Sequence, residues 1–528
     1  MDINSVSLQL AATQLTAGNT DIKYSGMGLY EMPYGPTGDP MVPIAAGTLE
    51  LIAEDEVVPR SDPEMFANSA QGSVVKTSLG DPEVERAARA AIGARIAIMN
   101  PPFTNREKMG EKFPDSTQRL LRNRTDDLEQ RLATADLDLD ELFDKNSLAP
   151  LFVMLAEKCL HETEGSLVLI HPTIALTNSS GVPERRVLAK RFHVHTVLTC
   201  HQPGNINLSQ NTNINESIIV LRRQADGSQT TRFIALDRFP TDDSEVAELF
   251  TAVEERGIGV LADGWGEVSV WPADRVQQGD WTAAIWRSPG LADAAARLAV
   301  HDALIPLAER GLQVYAAGKH SMSGYRRMTT TTRESFPILK SKGADGQLRI
   351  EAVPDEHWEW MQGGEAPILH KSSYLLVTAG QDTSTGRVTA VSSRTAYVGY
   401  GWMPVTGLTI EQSKGAAVFL NSTVGRLLLM RTPGLKLNFP KYNPAVFNAL
   451  PIPDLTDPTV CSPLADCWDA TRCMSVPQFR DGECEVRELW DAAVCDALGW
   501  DEAEIAGLRK LLHAEPHVRG LAYGQFID

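Results

Sequence analysis

The chain has 528 residues, 43% hydrophobic and 22% charged, the composition of a folded protein of roughly three domains rather than a disordered one. Its net charge of −19 argues against a simple nucleic-acid coat protein. It contains no run of about 18 apolar residues that would imply a transmembrane helix, and residues 1–5 have neither the basic start nor the apolar core of a signal peptide. The seven cysteines, five of them between 461 and 495, form no disulfide framework in so long a chain and contain no CxxC pair. A reducing cytoplasm is the expected setting, with the cysteines as small apolar residues rather than metal ligands.

Taken in chain order, residues 81–91 read as a helix with Pro82 in its first turn. A short apolar strand, Ile96–Met99, then runs directly into Asn100-Pro101-Pro102-Phe103. The two prolines fix φ and remove two backbone donors, and the residue before each is held extended. The corner therefore presents acceptors, the Asn100 side-chain oxygen and the Pro101 carbonyl, with few competing N–H groups. Phe103 adds a flat face on which a base can stack. A proline-stiffened strand exit with no further role is the plain alternative.

Leu142, Phe143, Leu148, Leu151, Phe152 and Leu155 lie near helical spacing within 139–159. Residues 165–172 read as a buried strand ended by Pro172, and 183–190 as a helix. His193–Cys200 and Glu216–Arg222 read as two more strands. Strands alternating with helices predict an α/β fold with a mostly parallel, doubly wound sheet. Ligands of such sheets bind beyond the carboxyl ends of strands, which is where Asn100 stands.

Residues 226–280 are mixed in character, carry an acidic run at 242–248, and read as a connector. Residues 281–455 change character again: they are rich in Gly, Thr, Ser, Trp and Tyr and suggest a β-rich module with long loops. Between 281 and 450 there are 18 Lys+Arg against 12 Asp+Glu, an excess of +6, so the rest of the chain sums to −25. A locally basic segment in an acidic protein fits a DNA-contacting module. Its favoured contact loop is 321–327, with Lys319, Tyr325, Arg326 and Arg327 as the contacting residues. Trp281, Trp286, Trp358, Trp360 and Trp402 fall in the same module and either stack on bases or fill its core. The segment from Gly311 to His320 has six residues between its glycines and His after Lys, so it does not make a phosphate-binding P-loop. Residues 456–528 read as mostly helical.

Asn100-Pro101-Pro102-Phe103 resembles the [NDS]-P-P-[FYW] signature of the amino-methylating DNA methyltransferases of the adenine-N6 class. The resemblance covers residues 1–225 and, more loosely, 281–455. It implies a partial class I methyltransferase sheet with a mixed α/β target-recognition module and a helical C-terminus. Residues 165–172 would match the family's fifth strand, His193–Cys200 its sixth, and Glu216–Arg222 its last, antiparallel strand. Residues 211–217 would form the polar turn near the catalytic pocket. Residues 397–402, 416–423 and 450–453 resemble target-recognition patterns.

The implied division is a methyltransferase-like catalytic domain at 1–225, a connector at 226–280, a target-recognition domain at 281–455 and a helical region at 456–528. The implied activity is S-adenosylmethionine-dependent methylation of adenine N6 in double-stranded DNA, within a restriction-modification or phage-defence system. Asn100, Pro101, Pro102 and Phe103 would be catalytic.

The family binds its cofactor with a Gly-rich loop after its first strand, and no such loop precedes Asn100. Asp2, followed by a helical run, resembles the acidic residue that ends the family's second strand. Residues 47–52 would be its third-strand region, placing Glu50 toward the adenine moiety of the cofactor. The expectation is that the first strand, the glycine loop and most of the second strand lie outside this chain. Ile96–Met99 would then have an unpaired apolar edge. A partner polypeptide carrying the missing loop would complete the site. The alternative is a DNA-binding specificity subunit whose methyltransferase-like half is inert or split. Neither reading requires a metal or a membrane.

Overall fold

The computed structural model describes residues 29–31, 34–38, 40, 43–53, 74–76, 93–101, 110–133, 148–178, 181–202, 216–223, 230–316, 324–328, 335–340, 347–354, 356–362, 366, 368–431 and 441–520. The expected helix at 81–91, Asp2, Pro102, Phe103, Lys319 and residues 211–215 lie outside them.

Among the described residues, two seven-stranded sheets organise the molecule. The first is built from β1 (Ile96–Met99), β2 (Ser166–Pro172), β3 (His193–Cys200), β4 (Glu216–Arg222), β5 (Thr230–Leu236), β6 (Gly259–Val260) and β7 (Gly266–Pro272). Its spatial order is β6-β7-β5-β3-β4-β2-β1. Helices α1 (Asp115–Ala133), α2 (Ala149–Cys159), α3 (Val182–Arg191) and α4 (Asp243–Arg256) punctuate these strands. Strands β2, β3 and β4 occupy the spans read from the sequence, because their β-branched runs alternate between a buried and a half-open face. Helix α4 starts where the Asp242 carboxylate accepts the Glu245 N–H at 2.9 Å, and it stops at Gly257, whose φ is +69°.

Three expectations change. The sheet is mixed rather than mostly parallel: β1–β2 and β3–β5 are parallel, and β4, antiparallel as expected, runs between β2 and β3 and is not the last strand. The segment read as a connector extends this sheet, since β5 and β7 pair along seven residues. Gly266 permits that pairing; its φ is +140°, and a Cβ there would lie 2.0 Å from the Ala235 carbonyl oxygen. Residues 47–52 are not a strand. A three-residue strand, Ile44–Ala46, ends at Gly47 (φ +69°), and a 3₁₀ turn follows over Gly47–Ala53.

The second sheet contains β8 (Gln313–Val314), β9 (Tyr325–Met328), β10 (Ser335–Leu339), β11 (Glu356–Trp360), β12 (Ser373–Thr378), β13 (Ala390–Gly399) and β14 (Trp402–Thr406). Its order is β8-β14-β12-β13-β10-β11-β9. Helix α5 (Pro289–Ala299) precedes it, and α6 (Ile410–Asn421) and α7 (Thr423–Met430) follow. Helix α6 is fixed by a reciprocal cap between Thr409 and Gln412, and it packs against β12 and β13. The C-terminal region is helical, as expected: α8 (Pro458–Thr471), α9 (Glu485–Leu498) and α10 (Glu502–Ala514) stack on α6 and on one another.

One apolar core joins both sheets. It contains Leu167, Leu169, Ile219 and Leu221 from the first, Leu375, Leu376 and Val391 from the second, and Leu427 and Trp490 from the helices. A polar junction reinforces it. The buried Glu515 carboxylate accepts the Arg287 and Ser288 backbone N–H groups at 3.0 and 2.8 Å, and Arg287 pairs with Asp237 and Glu267 of the first sheet.

Candidate active site

The sheet places Asn100 by register. Met99 of β1 lies beside Leu169 of β2, so Asn100 emerges level with the last residues of β2 at the carboxyl ends of two parallel strands. Asn100 is exposed and Pro101 is buried. Strand β4 runs the other way and brings its first residues to the same end: Pro172 faces Glu216, and His171 faces Ser217. A proline corner, a strand exit and a strand entry therefore meet at one rim.

Buried polar groups fasten this rim. The Thr173 and Ser217 hydroxyls share a hydrogen bond of 2.5 Å. His171 lies with Nε2 3.1 Å from Glu184 Oε1 on α3 and Nδ1 3.3 Å from the Pro172 carbonyl. Burial alone would lower the His171 pKa, but the Glu184 carboxylate and the Pro172 carbonyl together hold it above its ordinary value. The sequence reading missed His171, Glu184 and Thr173. The only local signal was His171-Pro172 at a strand end, because the residue that engages His171 stands thirteen positions away on a helix.

The outer side of β1 is bare. Ile96 is 65% exposed and Ile98 75%, whereas Ala97 and Met99 pack against the core. Among the described residues β1 pairs only with β2, so it forms the edge of the sheet.

Glu50 is buried, and its carboxylate is engaged. It accepts the Ala46 N–H at 2.8 Å and takes Arg124 of α1 at 2.5 Å from Nη2 and at 3.1 and 3.2 Å from Nε. The hydrogen bond to Glu50, the largest influence, raises the Arg124 pKa despite partial burial. This geometry joins the 3₁₀ turn to α1 and leaves the carboxylate little capacity for cofactor hydroxyls. Of the two residues expected to hold S-adenosylmethionine, the described one does not fit the task and Asp2 is not described.

Tyr325, Arg326 and Arg327 lie on β9, the edge strand of the second sheet. The Tyr325 ring packs 4.6 Å from Trp360 and 5.9 Å from Trp358, and its hydroxyl accepts the Ile368 N–H. Arg326 and Arg327 are exposed and pair across the strand with Glu359 at 2.6 Å and Glu356 at 3.0 Å. Trp281, Trp286, Trp358 and Trp402 are fully buried, so these four fill the core and present no stacking face; Trp360 is half-buried. A cavity of about 310 Å³ lies between α9 and α10, lined by Glu485, Glu488, Asp491, Glu502 and Arg509. It belongs to the C-terminal helices and shares no residue with the rim.

No family model matches the chain, and no curated protein matches it. Solved structures show loose likenesses. The type IIL restriction-modification enzyme MmeI, solved in complex with DNA, aligns with 88% of this chain and 59% of its own at 9% identity and a TM-score of 0.42. The type IIG restriction endonuclease BpuSI aligns with 82% of this chain and 55% of its own at 12% identity and a TM-score of 0.36. A type I restriction-modification methyltransferase subunit from Streptococcus thermophilus aligns with 52% of this chain and 56% of its own at 14% identity and a TM-score of 0.27. The chain thus spans less than two thirds of the length of each. At such scores the functional reading rests on the residues of the rim.

Proposed function

We propose that this chain grips adenine and reads the target for S-adenosylmethionine-dependent N6 methylation of double-stranded DNA, within a restriction-modification or phage-defence system. The observation that carries the reading is Asn100-Pro101 at the carboxyl end of β1, beside a sheet whose next strands include an antiparallel β4 between β2 and β3. An adenine extruded from the duplex would enter at this rim. The Asn100 side-chain oxygen and the Pro101 carbonyl accept hydrogen bonds from its amino group and aim the nitrogen lone pair. Phe103 stacks on the ring. Positioning of this kind supplies much of a group-transfer acceleration. Arg326 and Arg327, with Tyr325 beside them and Lys319 nearby in sequence, contact the DNA backbone or base edges.

The engaged carboxylate of Glu50 and the position of β1 at the sheet edge among the described residues, with Ile96 and Ile98 exposed, favour a second reading, in which this chain acts only with a partner. An exposed apolar strand edge accepts an added strand. A polypeptide bearing the Gly-rich cofactor loop would complete the sheet there, and without it the chain is a DNA-binding specificity subunit.

Calorimetric titration with S-adenosylmethionine separates the two readings. The expected result is weak or no binding by the chain alone. Tight binding by the chain alone would remove the need for a partner. Failure to bind duplex DNA in a filter assay at low salt would overturn both.

A further inference from the structure

The segment that leaves β2 is held from behind by the first turn of α3. Three contacts do this, and a fourth ties the segment to β4. Glu184 meets His171 Nε2 at 3.1 Å, and Arg185 donates from Nη1 to the Ala175 carbonyl at 2.7 Å. The Asn178 side chain accepts the Gly181 N–H at 2.7 Å, and Thr173 is tied to Ser217 of β4. Between them the chain makes a short 3₁₀ turn, Thr173–Leu176, whose Ile174 carbonyl accepts the Thr177 and Asn178 N–H groups. This turn begins where β2 ends, on the rim that carries Asn100.

His171 is the unusual member. It is buried, and both of its ring nitrogens face acceptors, a carboxylate and a backbone carbonyl. A neutral imidazole has one N–H and satisfies one of them; the imidazolium has two and satisfies both. We infer that His171 is a positioning residue: as the imidazolium it clamps Pro172 to α3 and so fixes the turn that forms the wall beside Asn100. The role of that wall in holding a base rests on the function proposed above; the clamp itself does not.

The charged groups around the ring are consistent with this. Glu184 and Arg185 face it from α3. Arg185 is itself drawn away, donating from Nε to the Gly279 carbonyl at 2.7 Å, with Asp280 next in sequence. Burial, the largest single influence, lowers the His171 pKa, and the Glu184 carboxylate leads the opposing influences that raise it on balance. As pH rises past that pKa one proton leaves. The longer contact, to Pro172, is the one given up, and the turn loosens.

Hydrogen exchange on the full chain tests the clamp without any assumption about catalysis. The readout is the peptide covering 172–180, corrected for intrinsic rates, in the wild type, His171→Gln and Glu184→Gln. In the wild type, exchange should be slow while His171 is protonated and become about tenfold faster as it deprotonates, the loss of one hydrogen bond to a charged group. His171→Gln should exchange fast at every pH. Glu184→Gln should move the onset to lower pH, a displacement that a merely structural contact would not produce. Identical pH profiles in wild type and Glu184→Gln, or slow exchange in His171→Gln, would overturn the clamp. Methyl transfer to DNA is measured on the same variants. Transfer that follows the exchange profile supports the wall's role. A clamp confirmed by exchange with no transfer by any form, partner included, would instead overturn the proposed function.

Discussion

The two faces of the first sheet differ sharply. On one face Leu167, Leu169, Ile219 and Leu221 are wholly buried in the common core. On the other, Val168, Ile170, Ile218 and Val220 are half-buried, and exposure climbs toward Ile96 and Ile98 at the edge. Both faces are equally apolar in sequence, so composition does not separate them. Helix α4 covers only the β3–β5–β7 part of the second face, through Leu249, Ala252 and Val253. Among the described residues, one face of this sheet is sealed in the common core, and the other is sealed only where α4 lies on it.

The largest effect that sharpens this comparison is on stability. Leu169→Ala or Leu221→Ala should cost about 2–5 kcal/mol in urea unfolding, the price of a core cavity. Ile98→Ala should change it by no more than about 0.5 kcal/mol. Equal losses would mean that the second face is as packed as the first. Ile98→Lys should leave the melting temperature unchanged while weakening any association through the β1 edge, read by static light scattering.

Acid should act next most strongly, through the junction that ties the first sheet to the C-terminal helices. Burial pushes His201 and His517 each down to about 3. The unfolded chain takes up these protons near 6.5, so their contribution is present above 6.5 and lost as pH falls toward 3. Glu515 has the opposite sign: burial pushes it up to about 7, so its contribution is present below about 4.5 and lost as pH rises through 7. Of these three groups only the two histidines titrate below about 4.5, and the melting temperature should fall there. His201→Gln should flatten that fall; an unchanged slope would exclude the junction as its source.

The smallest effect belongs to β9. Arg326→Ala should leave stability within about 0.5 kcal/mol, because its pair with Glu359 is solvent-exposed. It should lower the slope of log affinity against log salt for duplex DNA by about 1 if Arg326 meets a phosphate. A uniform slope would place the contact elsewhere.

Much of the first sheet was legible in the sequence. Strands β2, β3 and β4 carry β-branched alternation and are bounded by proline, polar turns or helices, so local pattern and tertiary environment agree. What was not legible depended on distant partners. Thr230–Leu236 read as connector because its pairing strand, Gly266–Pro272, lies thirty residues on. Residues 47–52 were placed as a strand only by the family resemblance, which did not show the turn that Gly47 and Arg124 impose. The His171–Glu184 contact crosses from strand to helix and leaves no periodic trace. The tryptophans of the basic module were ambiguous by type alone, and burial assigned four of the five to the core.

The central claim is that Asn100 holds the amino group of an adenine. Nucleoside mass spectrometry of unmodified duplex DNA, incubated with S-adenosylmethionine and the chain, with and without the polypeptide proposed to carry the Gly-rich loop, tests it most directly. N6-methyladenine should accumulate with the wild type and disappear with Asn100→Ala, while DNA binding persists. Undiminished N6-methyladenine with Asn100→Ala, or a methylated base other than adenine, would contradict it.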